Sequence, residues 1–102
     1  MKAKTGQTIT EAILSLDVDN NPVTATTFNS IAIQDGMEYS GITININLID
    51  SNAGLFSVTW SADTTGDVQI YIKNNITNVI FVSDIVNILP DSAFEQNIYI
   101  GL

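Results

Sequence analysis

The run GITININLID at residues 41–50 constrains the fold more than any other stretch: Ile42, Ile44, Ile46 and Leu48 take one parity, Thr43, Asn45 and Asn47 the other. Side chains two residues apart share a face in an extended strand, so this segment is predicted to be a strand buried on one side. LFSVTW at 55–60 repeats the pattern through Phe56, Val58 and Trp60, and DVQIYIK at 67–73 repeats it through Val68, Ile70 and Ile72. Ala12, Leu14, Leu16 and Val18 make a first strand, and Ile31 with Ile33 mark a second. NVIFVSDIVNIL at 78–89 is apolar at nearly every position. That suits a strand covered on both faces, or one that bends near Ser83 and Asp84 and changes sheet. No long segment repeats every 3.6 residues, as an amphipathic helix would.

Turn-forming clusters separate these runs: DNNP at 19–22, QDG at 34–36, DSNAG at 50–54, SADTTGD at 61–67 and KNN at 73–75. Asx side chains bond the local backbone there, and Gly and Pro supply the dihedral angles that tight turns need. Strands spaced by about 8–12 residues are the rhythm of a two-layer all-β domain. The expected fold is therefore an all-β, immunoglobulin-like β-sandwich of about seven antiparallel strands. It spans residues 1–90, with 91–102 as an extended C-terminal arm or final strand. In that arm Phe94, Ile98, Ile100 and Leu102 keep even spacing, and Tyr99 lies between them. So much apolar surface must be covered. Phe94, Ile98, Tyr99, Ile100 and Leu102 are accordingly the candidate protein-interface residues. They either complete the parent sandwich or add a strand to an exposed edge of a neighbouring subunit.

At 102 residues one domain is expected, burying roughly 65% of its extended-chain surface without staples. Cysteine and histidine are absent, which removes disulfides, thiolate chemistry, the usual neutral-pH base and the commonest zinc ligand. Three lysines stand against eleven acidic residues, there is no arginine, and the net charge is −8. Such a chain is repelled by phosphate backbones and anionic lipid, so neither nucleic acid nor membrane is an expected partner. The first twenty residues hold no continuous apolar run, so a soluble protein without a secretory signal is expected.

LDVDNNPVT at 16–24 places Asp17, Asp19 and Asn21 at alternate positions, like the first half of a calcium loop. The sixth position from Asp17 is Pro22 instead of glycine, and the twelfth is Phe28 instead of a bidentate Glu. A tight turn explains the same residues, so no metal site is assigned. Serines and threonines have no activating base, the acids are scattered, and glycines occur singly. The expectation is therefore a non-enzymatic protein with no cofactor. Trp60, Tyr39, Tyr71 and Tyr99 could form a platform for sugars. Trp60 is in phase with Phe56 and Val58, however, which places it in the core, while Tyr71 faces outward. The NIT triplet at 75–77 fits a glycosylation acceptor but is read as coincidental.

GLFSVTWSADTTGDVQIYIK, preceded by a strand ending in DVDNNPV, resembles small immunoglobulin-like modules of tailed-phage virions. These include head accessory proteins and the N-terminal domain of baseplate upper proteins. The resemblance covers residues 8–89 and rests on turn positions and alternation. It carries no catalytic residues. It implies a viral structural protein, an auxiliary or decoration protein bound to the major capsid protein or other virion proteins, assembled in the host cytoplasm and capable of self-association. A tail or baseplate component and a carbohydrate-binding module are the alternatives.

Overall fold

In the computed structural model, which describes residues 1–90, all regular structure is β. The strands are β1 (Lys2–Lys4), β2 (Ile9–Leu14), β3 (Phe28–Gln34), β4 (Met37–Glu38), β5 (Asn45–Asp50), β6 (Leu55–Trp60), β7 (Gly66–Asn74), β8 (Ile80–Val82) and β9 (Val86–Leu89). A larger sheet runs β1-β9-β7-β3-β4, and β8 pairs with β7 beyond the reach of β9. A smaller sheet runs β2-β6-β5. Pairing is antiparallel except between β1 and β9, where Lys2, Ala3 and Lys4 run parallel with Asn87, Ile88 and Leu89.

One core joins the two sheets, built from the parity each strand turns inward. Phe56, Val58 and Trp60 of β6 and Val68, Ile70 and Ile72 of β7 are buried, as their even spacing predicts. Phe28 of the larger sheet meets Phe56 of the smaller one edge to face, with ring centroids 5.0 Å apart. Ile42 is buried, and Ile44 and Ile46 pack against the core. Leu48 emerges near a register shift between Leu48 and Asp50. Trp60 is 2% exposed, and among the described residues its indole Nε1–H has no hydrogen-bond acceptor.

Several expectations need correction. The first long strand is β2, and it turns Ile9 and Ile13 inward, opposite Trp60 and Phe56. Ala12, Leu14 and Val18 are exposed instead, because Ser15 is held inward by three bonds. Its N–H donates to Gly54 O (2.7 Å), its hydroxyl to Val23 O, and it accepts from Asn74 Nδ2 (2.8 Å). That tether sets the parity of the whole strand. The strand that Ile31 and Ile33 mark is present as β3; Ala32 enters the core, and Ile31 and Ile33 point outward beside Tyr71 and Gln69. The 78–89 run is two strands. It breaks at residues 83–85, where Ser83 both donates its N–H to Ile70 O (2.9 Å) and accepts from Ile70 N with its hydroxyl (2.8 Å). Both halves stay beside β7, so the bend does not change sheet. The short strand β1 was not anticipated.

The turn clusters lie where the composition places them. Asp35 (φ 52°) and Gly36 (φ 83°) close the two-residue hairpin between β3 and β4, in the left-handed region that Asp-Gly favours. Asp35 also accepts from Asp67 N (2.9 Å), and Gly66 takes a φ of 144°, a backbone conformation that side-chain-bearing residues rarely adopt, so glycine is favoured there. At the opposite end Asn74 is a buried hub. Its Oδ1 accepts from Thr26 Oγ1 (2.6 Å) and from the N–H groups of Ile76 and Thr77.

The parity assignment makes a direct prediction. Ile70→Ala opens a cavity in the middle of the core and should cost roughly 2–5 kcal/mol in urea unfolding. Ile31→Ala, on the adjacent strand but facing out, should cost less than about 1 kcal/mol. Equal losses would contradict this phase.

Candidate functional site

Among the described residues, two apolar surfaces stand out once the core is closed. The first is the outer face of the larger sheet. Cross-strand register puts Ile31 opposite Tyr71 and Tyr71 opposite Val82, with Ile33 beside Gln69 and Ile80 beside Lys73. Ile31, Ile80, Val82 and Ile85 are 42, 58, 45 and 56% exposed. An outward sheet face normally alternates to polar residues, so this concentration of isoleucine and valine is unusual. Tyr71 lies along the face, its hydroxyl donating to Gln69 Oε1 (3.2 Å), and Gln69 Nε2 donates to Ser83 O (3.0 Å). These bonds fix the ring against the sheet. Asp35 and Asp67 border one end, where Asn87 Nδ2 donates to Asp67 Oδ1 (2.6 Å).

The second surface is a groove of about 390 Å³ between the sheets. Ala12, Ile13 and Leu14 form one wall, Ile80 and Phe81 the other, and Ile72 lies at the base. Among the described residues β2 pairs only with β6 and β8 only with β7, so each wall of this seam carries a strand edge without a neighbour. Elsewhere on β2, Glu11 is half-buried. Burial raises its carboxyl above the ordinary range, and the negative charge of Asp84 raises it further.

The sequence candidates distribute as follows. Phe94, Ile98, Tyr99, Ile100 and Leu102 lie outside the described residues. Trp60 is inside the core and Tyr71 is on the outer face of the other sheet, so these two do not share a platform. Tyr39 packs against the core. Asp17 serves the turn: its Oδ1 accepts from Asp19 N (2.9 Å) and Asn21 N (2.9 Å). Asn20 takes a positive φ of 63°, and Leu16 bridges to Pro22. No cluster of three or more acidic side chains able to hold a metal occurs among the described residues. Asn75 of the NIT triplet donates to Thr27 Oγ1 (2.9 Å). The outer face was not singled out from sequence, although two signals for it are present: Ile31 and Ile33 flank the small Ala32, and VIFV at 79–82 is apolar on both parities.

No family model matches the chain, and neither a curated protein nor a solved structure matches it.

Two tests follow from this geometry. Because Asp17 already satisfies the turn, excess chelator should leave the melting temperature unchanged; a shift of several degrees would mean that a cation holds the loop. Glu11 binds its proton more tightly folded than unfolded, so its favourable contribution is complete below the unfolded value and fades as pH rises through the raised folded value. Glu11→Gln should therefore stabilise the protein at pH 7, by less than about 1 kcal/mol given its solvent screening. The gain should vanish near pH 3, as paired thermal melts would reveal.

Proposed function

We propose that the chain is a non-enzymatic immunoglobulin-like β-sandwich that docks onto other proteins through the outer face of its larger sheet, as an auxiliary protein on a tailed-phage capsid. The observation that carries the docking reading is the apolar outer face centred on Tyr71 and bounded by Ile31, Val82 and Ile85. Leaving such a surface in water is unfavourable by roughly 25 cal/mol per Å² of apolar area, and a partner that covers it recovers that term.

Support for the immunoglobulin-like topology comes from the strand order. β2-β6-β5 faces β9-β7-β3-β4, and β1 runs parallel beside the last strand. Counting β8 and β9 as one interrupted strand, and β4 as a short return of β3, leaves about seven. The capsid assignment rests on the resemblance of residues 8–89 to virion modules. The chemistry of the partner follows from the rim. Asp35 and Asp67 beside the apolar face favour a capsid surface with an apolar centre and lysine or arginine at its border.

Ile31→Glu combined with Val82→Glu should leave the protein folded by circular dichroism and abolish its co-sedimentation with capsids. Full occupancy by the double variant would overturn docking through this face. Occupancy of about six or twelve per particle would place the protein on a tail or vertex instead.

A further inference from the structure

We infer that the seam between the two sheets receives an extended segment of another protein, one that pairs with the edge of β2, lays alternate aliphatic side chains along the groove and ends in a lysine or arginine. The inference is independent of the docking face proposed above. It starts from the two walls. Among the described residues, no strand lies beside β2 on the edge away from β6, nor beside β8 on the edge away from β7, so backbone donors and acceptors border the groove on both sides. The lining between them is aliphatic, from Leu16 through Leu14 to Ala12 on one wall and through Val79 and Ile80 on the other. An added strand uses both features at once: its backbone bonds an edge, and every second side chain enters the groove. A compact apolar ligand would use only the lining.

The charge of the occupant follows from the same walls. Leu16 and Val79 border a further apolar hollow together with the exposed Val18 and Ile76, so these two ends of the walls meet. From there the chain numbers run in opposite directions, down to Ala12 on β2 and up to Phe81 on β8. Continued past the groove, the walls bring Glu11 toward Asp84. Glu11 shares the odd parity of the buried Ile9 and Ile13, and its carboxyl feels the negative charge of Asp84. Two carboxylates at one end of an apolar channel favour an occupant that brings a cation there. A second copy is disfavoured, since it carries another net charge of −8 and its Lys2, Lys4 and Lys73 are built into β1 and β7. Residues 91–102 include Asp91 and Glu95 but no lysine or arginine. The basic residue is therefore supplied by another protein.

The test uses the full chain and short capped peptides that alternate isoleucine with threonine and carry lysine at one end, made with the lysine first and with the lysine last. Amide exchange is followed with and without each peptide. At a concentration well above its Kd, one orientation should slow the β2 amides that β6 does not engage at least about tenfold, by mass action. Replacing its lysine by glutamate should weaken binding about tenfold, as attraction to the two carboxylates becomes repulsion. Glu11→Lys should reverse that preference, and so should Asp84→Lys, at an exposed position outside the strands. A residue that only shapes the edge would not reverse it. Failure of both lysine peptides to slow these amides would overturn the inference, as would an unchanged preference in both variants. Amides that are already slow in the wild type and indifferent to peptide would overturn it too, because the chain itself or a second copy would then hold the seam.

Discussion

The structure depends on one apposition: Phe56, Val58 and Trp60 on β6 against Val68, Ile70 and Ile72 on β7. Each strand is central in its sheet, so each brings a neighbour on both sides. Six large side chains fixed at parity two determine which way β2, β3, β5 and β9 must face. A one-residue slip in any of those would trade buried for exposed aliphatic groups. Short-range chemistry then secures the ends, through Asn74 and Ser15 at one pole and Asp35 with Gly66 at the other.

That hierarchy explains what could be read from the chain. β6, β7 and the 41–48 run alternate cleanly between apolar and polar residues, so period alone assigns their faces. The turns are equally legible, because Asp-Gly at 35–36 and Asp50 before Gly54 encode their own backbone geometry. β2 begins earlier than the 12–18 apolar set suggests, and its facing is not legible from that set, for a definite reason. Its even parity, Ala12, Leu14, Leu16 and Val18, is the more apolar set, yet the odd parity enters the core, since Ile9 and Ile13 stand opposite Trp60 and Phe56 and Ser15 is bonded inward. The information that decides the matter sits far away in sequence, at Gly54 and Asn74.

The candidate surface and the ambiguous parity of β2 and β3 have the same origin. Where a strand is apolar on both sides, only one side can enter the core, and the other is left to face outward. Ile31, Ile33, Ile80 and Val82 are such losers, as are Leu14 and Val79 beside the groove. Counting hydrophobic residues cannot separate a doubly covered strand from one whose second face awaits a partner. The distinction appears only when the layers are assembled and none of the described strands lies over the second face.

The indole of Trp60 has an optical consequence. It is the sole tryptophan, buried in the apolar core and with no acceptor for its indole N–H among the described residues, so its excited-state dipole meets little that can reorient around it. Its emission therefore belongs at the blue limit for this fluorophore. Separation of the two layers would admit water to the ring and shift that colour, giving an intrinsic gauge of whether the sheets remain in contact.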